Sequence, residues 1–272
     1  MSVEDSVDSS LDTILTEVGV FGISEFYSYT LLFIANVVAA SFVHNYIISA
    51  NTLEYRCKVP ECDVGGNNRD IEYDQPWLRF GIPTSDDGLL KDCVRYAPIN
   101  KSLSGAFNGC SADMFDKSQE IECSEYIYAS DERNVQTEFN IHCADTYKLA
   151  LVGTANNAGR FLFMPLTGLL SDKFGRLRVI VIGMLCSSVF GIIKSFSINY
   201  IMYTALEFLE SAAGTSTYTC SCVLGVEYVN SKHRVLGSSI VFMSYPMGAV
   251  LLGLVAMYVS DPPFKFSTYP DC

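Results

Sequence analysis

The sequence predicts an all-α membrane protein of five transmembrane helices with a large disulfide-rich extracellular loop. Five apolar runs recur along the chain, and a run of about 20 residues crosses roughly 30 Å of hydrocarbon. A polar, acidic segment with six cysteines separates the first run from the others. Two short loops between later runs are rich in basic residues, which predicts that they face the cytoplasm.

The predicted organisation follows from these runs. In chain order we predict a cytoplasmic segment (1–22), transmembrane helix 1 (23–49), an extracellular loop (50–146), transmembrane helices 2–5 (147–260) and an atypical polar tail (261–272). The runs are Tyr27–Ser49, Leu149–Leu170, Val179–Phe196, Asn199–Val226 and Val235–Ser260. The acidic start lacks the features of a signal peptide, so we expect the first run to remain as a span.

Most of the negative charge lies in residues 51–146. This segment has 18 acidic and 9 basic side chains, which gives −9 of the formal net charge of −12. Such acidity argues against nucleic acid as a partner. It would concentrate cations near the loop, an effect that fades with salt, or it serves only to keep an exposed loop soluble.

Six cysteines fall in the same segment, and a polar loop with this content is typical of a disulfide-stapled ectodomain. They are Cys57, Cys62, Cys93, Cys110, Cys123 and Cys143. Their connectivity is one of 15 that six cysteines allow. A zinc site is the alternative, but no second close pair or histidine completes it, so no metal is predicted. Asn100 begins a glycosylation sequon, which agrees with an extracellular loop.

A loop between the second and third runs, Gly168–Arg178, combines an acid, bases and glycines in a fixed order. Its notable members are Gly168, Asp172, Lys173, Gly175, Arg176 and Arg178. Asp172 is predicted to cap the following helix. The simplest interpretation is a basic cytoplasmic hairpin, but the order is more specific: it resembles the signature loop of the major facilitator superfamily of transporters.

Further motifs resemble the organic cation/carnitine transporters of that superfamily. They are Glu17–Gly22, Phe42–Asn45, Gln136–Cys143, Gly225–Glu227 and Lys232–Arg234, together with the cysteine-rich loop. The resemblance covers about residues 11–260 and implies a partial major-facilitator bundle, the N-terminal half less one helix. It also implies a substrate site between two halves near the bilayer midplane. Two features depart from the family: Glu207, where many members carry arginine, and the tail.

Polar side chains within the predicted spans are the candidate substrate contacts, because a charge inside a membrane needs a cavity or a partner. They are Asn36, His44, Asn156, Arg160, Glu207, Glu210 and Tyr218. In one interpretation the glutamates balance an organic cation and aromatic faces contact it. In the other, Arg160 and Glu207 neutralise each other, while Asn36 and His44 only join helices. Lys194 is expected to snorkel to the outer interface.

The resemblance implies a cytoplasmic gate in which Asp172, Arg176, Glu227 and Arg234 tie helix ends together while the inner side is closed. Gly168, Lys173, Gly175 and Arg178 complete the loop that supports it. The alternative is that these charges only solvate the loop and set the topology.

The function predicted from the resemblance is alternating-access transport of organic cations or carnitine-like zwitterions, by an N-terminal fragment in the plasma membrane. No enzyme motif or cofactor motif occurs, so the protein is predicted to be neither an enzyme nor cofactor-dependent. Partners are a small organic cation or zwitterion, the lipid bilayer, and a full-length transporter or the missing C-terminal half. The alternative is a truncated, non-transporting membrane protein that pairs with a full-length transporter or binds a ligand through its ectodomain.

Overall fold

A computed structural model describes residues 23–63, 71–85, 87–99, 110–130, 132–227 and 234–260. The chain divides into two compact units, here called the helical unit (Met1–Ala50 with Ala150–Cys272) and the cysteine-rich unit (Asn51–Leu149). The predictions for segment 1–22, Asn100 and tail 261–272 concern residues outside the described ranges and stay predictions.

Five long helices correspond to the five predicted apolar runs. They are α1 (Ile23–Ser49), α2 (Tyr147–Phe174), α3 (Arg176–Lys194), α4 (Tyr200–Glu227) and α5 (Arg234–Ser260). Their ends differ from those of the runs by at most four residues. Apolar run length therefore predicted the helices well, because each run is bounded by polar residues.

Three of these helices are long and apolar enough to cross a membrane: Phe26–Ser49, Arg176–Lys194 and Gly237–Tyr258 within the described residues. α2 and α4 are more polar, with Arg160 in α2 and two glutamates in α4. A mostly helical chain with apolar spans is thus confirmed, whereas the number of five crossings stays a prediction.

The helical unit is packed around α4, whose buried face consists mainly of small residues. These are Ser211, Ala212, Gly214, Thr215, Ser216, Thr217, Cys220 and Ser221. Small side chains let neighbouring backbones approach closely, as membrane helices require. Gly159 of α2 is one such close approach to α4, because a Cβ there would lie only 2.5 Å from the carbonyl oxygen of Phe208. Leu32, Ile180 and Leu224 form an apolar core between α1, α3 and α4.

A single residue, Gly175, joins α2 to α3. Its φ of 88° lies in the left-handed region, which glycine adopts without steric cost. The prediction that Asp172 caps α3 was wrong: Gly175 is the N-cap, and no described side chain caps this helix. The reason is that α2 continues to Phe174, which leaves Asp172 inside the preceding helix.

The cysteine-rich unit contains two small antiparallel sheets and two four-residue helices. β1 (Tyr55–Cys57) pairs with β4 (Tyr126–Tyr128), and β2 (Val94–Pro98) pairs with β3 (Phe115–Glu122). The short helices are Leu78–Gly81 and Val135–Glu138. Asn134 and Thr137 form a reciprocal cap at the start of the second of these helices, which satisfies its free backbone N–H groups.

The six cysteines of this unit form three pairs at disulfide distance. Cys57 pairs with Cys123, Cys62 with Cys110 and Cys93 with Cys143, with Cα–Cα distances of 5.6, 5.7 and 5.6 Å. These values lie in the usual range for disulfide bonds. The geometry favours the stapled interpretation over the zinc site and selects one connectivity, which the spacing had left open.

Candidate functional site

Three charged side chains meet inside the helical unit and form the lysine–glutamate cluster: Lys194, Glu207 and Glu210. The Lys194 Nζ lies 2.7 Å from Glu207 Oε2 and 2.5 Å from Glu210 Oε2. All three side chains are at most 6% exposed. A buried cation between two buried carboxylates is the arrangement that makes charges tolerable where water is absent.

Neighbouring helices complete the surroundings of this cluster. Asn156 of α2 donates a hydrogen bond of 2.7 Å to Glu207 Oε1. The Tyr203 ring lies 5.7 Å from Lys194 Nζ, and its hydroxyl group is 3.0 Å from Ser49 Oγ of α1. Residues from α1, α2, α3 and α4 therefore meet at one polar centre, which fixes how these helices pack.

Two interpretations of the charged residues need correction. Glu207 forms its ion pair with Lys194, not with Arg160, and Lys194 is buried instead of reaching the interface. The physical reason is the short connection 195–199, which folds α4 back along α3 and places the Glu207 turn beside the last turn of α3. Sequence reasoning missed Lys194 as a site residue because its position at a helix end is typical of a snorkelling lysine.

Arg160 lines a separate cavity of about 200 Å³, here called the Arg160 cavity. Its lining residues are Ala39, Val43, Arg160, Met164, Gly214, Thr215, Tyr218 and Tyr245. The guanidinium Nη1 donates a hydrogen bond of 3.1 Å to the Tyr245 hydroxyl. The rings of Tyr218 and His44 lie 4.7 and 4.9 Å from the Tyr245 ring, centroid to centroid.

The structure therefore groups the candidate substrate contacts into two sets. His44, Arg160 and Tyr218 gather around Tyr245, which the sequence did not single out because the run Val235–Ser260 contains no charged side chain. Asn156, Glu207 and Glu210 belong to the lysine–glutamate cluster. Asn36 joins neither set: it is fully buried, and its amide atoms have no hydrogen-bond partner among the described residues.

Part of the predicted gate comes together at the ends of α2, α3 and α4. Arg176 Nη2 lies 2.8 Å from Glu227 Oε1 and 3.8 Å from Asp172 Oδ1. Lys173 Nζ lies 5.6 Å from the Phe174 ring, while Arg178 is exposed. Gly168 has open space around its Cβ position. Arg234 begins α5, and its side chain lies outside the described set, so its part in the gate stays a prediction.

The cysteine-rich unit has a cavity of about 500 Å³ that the sequence did not predict. Its floor is aromatic: the His142 ring stacks on Tyr126 at 3.9 Å, and its Nε2 is bonded to the Tyr128 hydroxyl at 2.5 Å. Glu125, Glu132 and Glu138 line its edge. Burial lowers the pKa of His142, partly opposed by a backbone contact at Asn140, and burial raises the pKa of Tyr128 to about 12.

We expect the cysteine-rich unit to lose stability as pH falls below about 6.5, the ordinary histidine pKa. Because the folded pKa of His142 is lowered, the unfolded chain binds this proton more readily, and stability rises with pH across the interval. The effect is bounded by about 1.4 kcal/mol per pH unit. Thermal unfolding followed by Trp77 fluorescence from pH 7.5 to 5.5 measures it.

The control for this experiment is His142→Gln, which keeps the carboxylates and removes only the imidazole. The variant should show a shallower loss of stability towards acid pH than the parent chain. Identical pH profiles for the two proteins would contradict the assignment to His142.

Comparison with known proteins bears on both units. The profile of the Major Facilitator Superfamily matches residues 132–264. Organic cation/carnitine transporter 2 of Rattus norvegicus is 29% identical over 224 residues, 79% of this chain and 39% of the relative. Solute carrier family 22 member 7 of Homo sapiens is 23% identical over 258 residues, which are 92% of this chain and 46% of the relative. Solute carrier family 22 member 1 of Oryctolagus cuniculus is 23% identical over 262 residues, which are 93% of this chain and 47% of the relative.

The resemblance drawn from the signature loop is thereby confirmed: the chain is similar to the organic cation/carnitine transporters and matches the major facilitator profile. It spans less than half the length of these relatives, which is consistent with a resemblance to one half of the fold. The relatives and the apolar helices support a multi-pass membrane protein. Transporter relatives also support a non-enzymatic protein at the level of the family.

Proposed function

We propose that this relative of the organic cation/carnitine transporters forms the N-terminal helical part of a secondary transporter that works by alternating access. The observation that carries the proposal is the ion pair between Arg176 of the signature loop and Glu227 at the end of α4. A charged contact between the ends of two helices can favour one state of a rocking bundle and so act as a gate.

The topology that accompanies this function has five crossings, with the N-terminus and both short basic loops in the cytoplasm. The cysteine-rich unit then lies outside the cell, where an oxidising environment allows its three cysteine pairs to persist as disulfides. We place the protein in the plasma membrane. The basic residues of the signature loop, Lys173, Arg176 and Arg178, support this orientation.

The transported molecule is proposed to be a small organic cation or a carnitine-like zwitterion, the two classes in the name of the rat relative. The helical unit supplies one wall of its site, which includes the Arg160 cavity. Tyr218 and Tyr245 offer aromatic faces to an ammonium group there. The lysine–glutamate cluster lies beside this wall and stabilises the packing of α1, α2, α3 and α4.

Uptake of radiolabelled L-carnitine by cells that express this exact chain tests the proposal. We expect saturable uptake above that of cells without the chain, with surface expression confirmed by biotinylation. Surface expression without any uptake of carnitine or tetraethylammonium would contradict transport by this chain.

We expect Arg176→Ala to change the maximal rate of uptake more than the apparent affinity, because the gate does not contact substrate. The Arg176 and Glu227 side chains are 25% and 48% exposed, so water screens the pair. Exposed pairs contribute about 0.2–1 kcal/mol, which corresponds to a change in rate of roughly 1.4- to 5-fold. Concentration-dependent uptake measures both quantities.

Arg79→Ala is a suitable control for this variant, since it removes an exposed arginine from the cysteine-rich unit. Its uptake should match that of the parent chain. A change in apparent affinity alone for Arg176→Ala would argue against a gate.

A second candidate is a non-transporting membrane protein that binds a ligand through the cysteine-rich unit or pairs with a full-length transporter. The cavity with the aromatic floor at Tyr126, Tyr128 and His142 favours the ligand-binding form. Binding of tetraethylammonium that persists in a chain without uptake activity would support it. Co-purification with a full-length relative tests the pairing form.

A further inference from the structure

The acids of the helical unit are already paired with bases other than Arg160. Four carboxylates have described side chains there: Asp172, Glu207, Glu210 and Glu227. The first and last lie beside Arg176, and the middle two lie beside Lys194. Among the described side chains of this unit, no carboxylate remains for Arg160.

The Arg160 cavity does little to offset the cost of burying this guanidinium. A guanidinium carries five N–H donors, and its hydrogen bond to the described residues is the one that Nη1 donates to the Tyr245 hydroxyl. Its Nε is buried and has no hydrogen-bond partner within the described part of the chain. Much of the surrounding wall is apolar, with Ala39, Val43 and Met164. A buried donor without an acceptor is costly, and a charged one more so.

We propose that Arg160 is an anion-binding subsite that takes the carboxylate of a small zwitterionic molecule. The inference rests on the proposed function and deepens it, because it names the group recognised by the second helix. A planar guanidinium binds a carboxylate through two parallel hydrogen bonds, and the free Nε with an adjacent Nη supplies them. Tyr218 and Tyr245 lie in the same wall, where their rings can face the ammonium group of the same molecule.

The Arg160 cavity disfavours binding of a cation that carries no carboxylate. The fixed positive charge of Arg160 repels a cation in a mostly apolar cavity, where the field is weakly screened. The glutamates that the sequence offered as counter-charges are occupied by Lys194. The cavity volume of about 200 Å³ is smaller than that of a drug-sized pocket. It therefore suits one polar end of a small molecule.

L-Carnitine and choline form a matched pair of probes, because both carry a trimethylammonium group and only carnitine carries a carboxylate. Binding of each radiolabelled probe to the whole chain in lipid nanodiscs tests the inference. We expect carnitine to bind at least tenfold more tightly than choline. Arg160→Gln should weaken carnitine binding by about 10- to 100-fold and leave choline binding unchanged or improved.

Arg160→Lys keeps the charge but loses the paired geometry, so carnitine affinity should fall between those of the parent and Arg160→Gln. Size-exclusion elution and circular dichroism show whether each variant is folded. Tyr245→Phe is a milder variant, because it removes the hydroxyl that accepts from Arg160 Nη1 and keeps the aromatic ring. This variant should still bind carnitine more tightly than choline.

Equal affinity for carnitine and choline in the parent chain would overturn the inference while leaving transport intact. The same holds if Arg160→Gln and the parent bind carnitine equally well. Absence of binding by either probe, together with absence of uptake, would overturn both the inference and the proposed function.

Discussion

Replacing Lys194 by methionine is expected to cost about 3–5 kcal/mol of the free energy of unfolding of the helical unit. Glu207 and Glu210 would then be buried without their cation, since both are at most 4% exposed. The triple variant with Glu207→Gln and Glu210→Gln should therefore be more stable than Lys194→Met alone.

Labelling of Cys220 with a thiol-reactive dye measures this loss, because Cys220 is 2% exposed in the folded chain. The background replaces Cys186, which is exposed, Cys222, which is half-buried, and Cys272 by alanine. Lys173→Met removes an exposed lysine and should change stability by no more than about 0.5 kcal/mol. A cost below about 1 kcal/mol for Lys194→Met would show that the cluster is not the structural centre we describe.

Arg56→Met should destabilise the cysteine-rich unit by a comparable amount, about 3–5 kcal/mol. Arg56 and Asp63 form a bidentate ion pair at 2.9 Å, and both side chains are at most 2% exposed. Arg56 also donates to the carbonyl groups of Cys57, Glu72 and Tyr73. The variant leaves a buried carboxylate whose remaining donor among the described residues is the backbone N–H of Val59.

The single tryptophan of the chain reports on this unit. Trp77 packs against the core formed by Cys57, Val59, Leu78, Ile82 and Phe115, and the Arg56 guanidinium lies 5.6 Å from its ring. Its fluorescence during urea unfolding under non-reducing conditions therefore follows the cysteine-rich unit and not the helices. Lys91→Met breaks an exposed pair with Glu120 and should cost at most about 1 kcal/mol. If Arg56→Met and Lys91→Met lowered the free energy of unfolding by similar amounts, burial of the Arg56–Asp63 pair would not explain its contribution to stability.

The long helices could be predicted because their signal is local. An apolar run bounded by charges reports on its own residues, and α1 to α5 end within four residues of the predicted limits. The signature loop was also a local pattern, and its relationship to the transporters is confirmed. The cap at Asp172 failed because capping depends on where the preceding helix stops, which a run of mixed polarity does not define.

The partners within the site could not be predicted, because they depend on which helix faces meet. Arg160 and Glu207 are opposite charges that both lie within predicted spans, so the sequence alone suggested a pair. The antiparallel packing of α3 on α4 brings Lys194 closer to Glu207 than Arg160 is, and Arg160 instead meets Tyr245 of α5. The cysteine pairs were undetermined for the same reason, since spacing carries no information on long-range contacts.

The division of charge between α3 and α4 has a consequence for biosynthesis. A helix that enters lipid alone incurs roughly 2.5–3.5 kcal/mol for each charged side chain near its centre. Lys194 ends α3, while both of its acidic partners lie in the first half of α4. We therefore expect the translocation machinery to release these two segments into the bilayer together, as a helical hairpin in which Lys194 already offsets one of the two acidic charges.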